Sequence, residues 1–181
     1  MEPQLVRLSK FLSLVLRHNP DKIGLALDPQ GWVEIAALLE AAQRHGVRLD
    51  METLLRIVAE NDKQRFALSA DGQRIRASQG HSIAVDLALP PLAPPNLLYH
   101  GTTTRFLDAI KREGLHKRRR QHVHLSPDEA TALKVGRRHG PPLVLTVQAG
   151  AMAEAGYLFY RSANGVWLTD HVPPQYLEIP A

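Results

Sequence analysis

The ten residues from Leu87 to Asn96 include four prolines, Pro90, Pro91, Pro94 and Pro95. Each fixes its own φ and removes a backbone donor, so the stretch cannot run through the middle of a helix or a sheet. It reads as a semi-rigid extended spacer, dividing the chain into a lobe over residues 1–88, a linker over 89–96 and a lobe over 97–181. A chain of 181 residues can build a core in each lobe. The 44% hydrophobic and 22% charged content is ordinary for a soluble protein. No apolar run approaches the ~18 residues of a membrane span, and the N-terminus has no basic-then-apolar leader, so a cytoplasmic protein is expected. The absence of cysteine excludes disulfides, thiolate metal sites and a thiol nucleophile. A formal charge of +4 favours an anionic partner, nucleic acid first among them.

In the first lobe, Leu5, Leu8, Leu12, Val15 and Leu16 recur at helical spacing. Asn19-Pro20 stops that helix, because proline disfavours the α conformation in the residue before it. Arg17 and His18 therefore fall at its last turn. Two readings stay open for them: cations opposing the negative end of the helix dipole, or a guanidinium fork beside a titratable imidazole, a pair suited to gripping a phosphate. Asp28-Pro29-Gln30-Gly31 is a turn. A second helix runs over Glu34–Arg44, and a third is capped by Asp50. Short strands at Phe66–Leu68 and Arg74–Ala77 flank a hairpin signal at Asp71-Gly72. Three helices followed by a hairpin is the order of a winged helix.

The second lobe is expected to be strand-dominated with two short helices. Strands are predicted over Leu97–Thr102, Val123–Leu125, Leu143–Val147, Tyr157–Tyr160, Gly165–Thr169 and Tyr176–Ile179. The helices are placed before Gly114 and after Ser126-Pro127, read as a cap and N1 proline. The basic run Lys117–Arg120 reads as a solvated loop. The fold class is therefore α+β.

No phosphate-cradling glycine loop, dinucleotide fingerprint or helical zinc pair is present. His122 and His124 share one side of a strand but have no evident third ligand, so no metal is expected. His100 and His124 each end a short strand, where either could equally be a satisfied interior histidine.

The segments Ser9-Lys10-Phe11-Leu12-Ser13, Leu16-Arg17-His18-Asn19-Pro20, Gly80-His81-Ser82, Tyr99-His100-Gly101-Thr102, Val123-His124-Leu125-Ser126, Arg138-His139-Gly140 and Asn164–Thr169 occur in this order over nearly the whole chain. Together they resemble the RNA 2′-phosphotransferase (Tpt1/KptA) family. The resemblance implies a winged-helix-like N-terminal lobe and an ADP-ribosyltransferase-like C-terminal lobe. It also implies NAD as co-substrate, no metal, and a partner RNA bearing an internal 2′-phosphate of the tRNA splice-junction type, handled by a monomer. The implied reaction has two steps. The 2′-phosphate displaces nicotinamide from NAD, and the ribose 2″-hydroxyl then attacks phosphorus, giving ADP-ribose 1″,2″-cyclic phosphate and RNA with a free 2′-hydroxyl.

By that resemblance the catalytic set is Arg17, His18, Arg65 and Arg138, with Arg137 as the alternative fourth member. His18 would move the proton of the second step, and Arg138 would bridge RNA and NAD. NAD would be held by His100, Gly101, Thr102, His124, Ser126 and Val166. Lys63, His81 and Ser82 would contact flanking RNA phosphates, although His81-Ser82 could equally be a packing turn. The segment Gly165-Val166-Trp167 carries no acid, which suits a nucleophile that is already anionic. A one-step ADP-ribosyltransferase and a non-catalytic nucleic-acid regulator are the alternatives.

Overall fold

In the computed structural model, which describes residues 1–181, the chain forms two compact units, Met1–Ala88 and Leu89–Ala181. Both mix helices with short antiparallel sheets, an α+β arrangement. Leu89–Pro95 carries neither helix nor strand. No helix is long and apolar enough to cross a membrane.

The first unit opens with helix α1 (Pro3–Arg17), whose Leu5, Leu8, Leu12, Val15 and Leu16 are all buried. The helix ends where Asn19 turns outward, and the Asn19 carboxamide oxygen accepts the Lys22 N–H at 3.1 Å to start a short 3-10 turn at Pro20. Strand β1 (Val33–Glu34) leads into α2 (Ile35–Arg44). Helix α3 (Met51–Glu60) is capped by Asp50, which accepts the Thr53 N–H at 2.8 Å. Strands β2 (Phe66–Leu68) and β3 (Arg74–Ala77) pair as a hairpin, with Phe66 opposite Ala77 and Leu68 opposite Ile75. β1 adds to the other edge of β3 through Val33 and Ile75, a third strand too short to leave a periodic signal. Leu12, Leu16, Ile35, Leu38, Leu54, Ile57 and Ile75 are each less than 2% exposed and form one core with the helices. Burial of each contributes about 1.5–3 kcal/mol.

The second unit contains β4 (Leu98–Thr103), α4 (Leu107–Glu113), β5 (Leu115–His116), β6 (Val123–Leu125), α5 (Glu129–Gly136), β7 (Pro142–Val147) and α6 (Ala149–Glu154). Four short strands follow: β8 (Tyr160–Arg161), β9 (Trp167–Thr169), β10 (His171–Val172) and β11 (Leu177–Glu178). They form sheets ordered β11-β7-β4, β6-β9-β8 and β10-β5. A reciprocal bridge joins the first two sheets. Tyr99 N–H donates to Ser126 O at 2.9 Å, and Ser126 N–H donates to Tyr99 O at 2.7 Å. Leu98, Leu125, Leu145, Met152 and Phe159 are the most deeply buried large side chains of this unit's core.

Several local expectations need correction. The predicted strand over Tyr157–Tyr160 shrinks to β8, because the backbone before it is bonded elsewhere: Tyr157 N–H donates to the Met152 carbonyl at 3.0 Å and the Phe159 carbonyl accepts the Leu92 N–H at 2.8 Å. The strand predicted from Gly165 begins only at Trp167. Gly165, at φ +81°, closes a turn in which Ser162 N–H donates to Val166 O at 2.9 Å. The cap of α5 is Asp128, which accepts the Thr131 N–H at 2.7 Å, so Pro127 precedes the helix instead of starting it. Helix α6, with Gly150 in its first turn, has no apolar periodicity to announce it.

Candidate active site

Arg17 is the last residue of α1, and His18 is its C-cap. Residues seven apart on a helix lie nearly above one another, so Lys10 and Arg17 share a face with Ser13 and Leu14 between them. This face, with His18 and Arg65, lines a pocket of about 320 Å³ in the first unit. Arg65 arrives from a constrained turn. Asn61, 3% exposed, accepts the Lys63 N–H at 3.1 Å and donates from its carboxamide to Ser9 Oγ of α1 at 3.2 Å. Gln64 sits at φ +44°, a left-handed conformation costly for a side chain of this kind. Its carbonyl accepts the Ser78 hydroxyl at 3.1 Å, and the Arg65 carbonyl accepts the Ser78 N–H at 2.8 Å. The turn is thus pinned to α1 on one side and to the end of β3 on the other, and this directs Arg65 to the α1 face.

Gly80-His81-Ser82 braces the same helix end. Ser82 N–H donates to the Arg17 carbonyl at 2.9 Å, and Ser82 Oγ and His18 Nδ1 share a hydrogen bond of 2.8 Å. The Arg17 guanidinium lies over Gly80, where an added Cβ would stand 3.5 Å from Cζ. His81 is 1% exposed, so its ring has no surface to offer an RNA phosphate, which corrects the expectation of direct contact. Burial first, then the positive fields of Arg17, Arg76 and His18, hold its pKa down to about 4. His81 is thus a neutral anchor beneath the cationic face. Lys63 and Ser82 are exposed.

The four-membered cationic set is divided between the units. Arg17, His18 and Arg65 come together in one pocket, while Arg138 lies in the second unit on a single 3-10 turn, Arg137–His139, where Arg137 is also exposed.

In the second unit, the bridge at Tyr99 and Ser126 brings His100 of β4 beside His124 of β6. His100 Nδ1 lies 3.0 Å from the His124 carbonyl. A carbonyl can only accept, so Nδ1 carries the proton and the other ring nitrogen, Nε2, is left as an acceptor when the ring is neutral. Burial, the largest influence, lowers the His100 pKa and favours that neutral form. Arg120 Nη1 lies 3.0 Å from His124 Nδ1. Because a guanidinium only donates, this contact makes Nδ1 the acceptor and places the His124 proton on Nε2. The two rings therefore differ in character: one offers a lone pair, the other an N–H. Arg118 stacks on Phe106, its Cζ 5.4 Å from the ring centroid, so the basic run is partly docked and not wholly solvated.

Gly101 and Thr102 are buried under α5. A Cβ on Gly101 would lie 1.7 Å from the Ala132 carbonyl oxygen, so the missing side chain serves helix–strand packing, and Thr102 is 5% exposed. Val166 sits half-buried in the turn before β9, and Ser126 is half-buried at the bridge. No three His, Asp or Glu side chains are grouped to hold a metal ion. Among pocket residues, Lys10 and Ser13 were not singled out from sequence. Their seven- and four-residue spacing from Arg17 was the available signal.

The sequence model of the RNA 2′-phosphotransferase, Tpt1 / KptA family matches residues 3–171. The chain is 59% identical over 179 residues to a protein of Hahella chejuensis named "Probable RNA 2'-phosphotransferase", covering 99% of this chain and 96% of the relative. A protein of the same name from Agrobacterium fabrum is 59% identical, with 96% and 93% covered. One from Pseudomonas aeruginosa is 56% identical, with 93% of each chain covered. With nearly every residue of the pocket-forming and histidine-bearing elements inside the matched span, the chain belongs to the RNA 2′-phosphotransferase, Tpt1 / KptA family.

Proposed function

We propose that this protein is an NAD-dependent RNA 2′-phosphotransferase acting on an internal 2′-phosphate of the tRNA splice-junction type. We read its first unit as winged-helix-like and its second as ADP-ribosyltransferase-like. The observation that carries the reading is the pocket where Arg17, His18 and Arg65 meet with no carboxylate among its lining residues. Two guanidiniums can hold the oxygens of a phosphate dianion through paired, charge-assisted hydrogen bonds.

NAD supplies the ADP-ribosyl group. The histidine pair of the second unit fits such a dinucleotide: His100 Nε2 can accept a ribose hydroxyl proton, and His124 Nε2–H can donate to an oxygen acceptor. Oxygen of the RNA 2′-phosphate displaces nicotinamide at the anomeric carbon. The ribose 2″-hydroxyl then attacks phosphorus and expels the RNA 2′-oxygen, which leaves as a free 2′-hydroxyl while the phosphoryl group closes into the 1″,2″-cyclic phosphate of ADP-ribose. Arg17 and Arg65 orient the phosphate and meet the charge that builds on its oxygens. His18, fixed through Nδ1 by Ser82, presents Nε2 as the atom that gives a proton to the departing RNA oxygen. Arg138 is assigned to bridge the two substrates, RNA and NAD. The chain's basic balance suits the anionic partners.

Incubation with NAD and an oligonucleotide carrying one internal 2′-phosphate should release nicotinamide and yield the 2′-hydroxyl product. Release of nicotinamide with accumulation of an ADP-ribosylated oligonucleotide would instead indicate a one-step transferase, and binding without either product a regulator. In single-turnover traces Arg138→Ala should accumulate that species, and traces matching the unmodified enzyme would overturn the role given to Arg138.

A further inference from the structure

The phosphate pocket has more charge and more room than one phosphate monoester needs. Its lining includes three permanent cations, Lys10, Arg17 and Arg65, and no acid. A monoester dianion balances two of them, which leaves one positive charge. At about 320 Å³ the pocket is of the size that holds a ligand larger than an inorganic ion. The surplus charge has a definite place. Lys10 lies two turns before Arg17 on α1, about 10 Å along the helix axis. It is exposed and makes no ion pair, and Ser13 lies between the two.

Building on the function proposed above, we infer that Lys10 and Ser13 form a second anion subsite that takes a backbone phosphodiester of the same RNA strand. A phosphodiester carries one negative charge, matching the one that Lys10 adds. Lys10 supplies a compact ammonium that suits a singly charged oxygen pair, whereas the guanidiniums of Arg17 and Arg65 suit the monoester. Ser13 adds a hydroxyl donor of the kind commonly spent on backbone phosphates. The α1 face thus reads two phosphates at once: the one to be removed and one that only an internal position provides. The subsite is a determinant of specificity for a 2′-phosphate embedded in a chain over one on a free nucleoside.

The test compares equilibrium binding of two probes without NAD, adenosine 2′-monophosphate and a short RNA with a single internal 2′-phosphate. For Lys10→Ala, the preference for the oligonucleotide over the mononucleotide should fall about tenfold, the value of one charge-assisted contact. The slope of log affinity against log salt should drop by about 0.7, one phosphate on a single strand, and Lys10→Arg should restore most of both. Equal weakening for the two probes would place Lys10 on the 2′-phosphate itself and overturn the inference, as would no change for either. If the unmodified protein binds neither probe, the phosphate reading of the pocket fails first, a result distinct from these.

Discussion

Lowering the pH should destabilise the first unit through His81. The ring is 1% exposed, a Cβ added at Gly31 would stand 3.3 Å from its Nε2, and burial first, then the positive fields of Arg17, Arg76 and His18, hold its pKa down to about 4. In the unfolded chain the same ring titrates at its ordinary value near 6.5. Above that pH both states are neutral and His81 adds no pH dependence. As the pH falls between 6.5 and 4, the unfolded chain takes up a proton that the folded ring refuses, so stability falls with pH. The loss from this one group amounts to about 2 kcal/mol by pH 5 and about 3 kcal/mol by pH 4. Urea unfolding followed by tryptophan fluorescence at a series of pH values measures it. The reference is His81→Gln, which cannot titrate. Whatever its stability at neutral pH, its curve should decline by about 2 kcal/mol less than that of the unmodified protein down to pH 5. Parallel curves for the two proteins would refute the assignment of a buried, neutral His81.

Two further substitutions test the packing that positions the site. Gly101→Ala should cost about 3 kcal/mol or more in chemical denaturation, because the new methyl would overlap the Ala132 carbonyl and α5 would have to lift from β4; a loss below 1 kcal/mol would mean the helix yields freely. Asn61→Ala strips the buried Ser9 hydroxyl and the Lys63 N–H of their partner, so it should destabilise by about 1–3 kcal/mol. It should also weaken binding of adenosine 2′-monophosphate by freeing the turn that aims Arg65, and unchanged affinity would show that the turn holds its shape without Asn61.

Much of the first unit was legible because its signals are local. The Leu5–Leu16 pattern, the Asn19-Pro20 stop, the Asp50 cap and the Asp71-Gly72 hairpin all act within a few residues, and each appears where expected. What escaped detection depends on distant partners. Strands β1, β5 and β10 have two residues each and exist only because another strand lies alongside. Helix α6 is held at its start by Asn96, whose carbonyl accepts the Gly150 N–H at 3.0 Å, a contact no periodicity encodes. The same distinction runs through the site. Arg17, His18 and Arg65 were named, yet the bond between His18 and Ser82, separated by 64 residues, could not be read from spacing. For His81 the sequence leaves an RNA contact and a packing turn equally open, since a motif position carries no information about which way a side chain turns, and only its burial favours packing. Lys10 and Ser13 were visible as members of a motif but not as walls of the pocket.

The close seat of α5 on β4 has one more consequence. The helix runs without interruption into the turn that bears Arg138, so two hydrogen atoms at residue 101, where any other amino acid would place a carbon, set the height from which that guanidinium is presented. Raising the helix by the width of a methyl would carry its far end along with it, and a change made deep in the interior would then be felt as a misaimed charge at the surface.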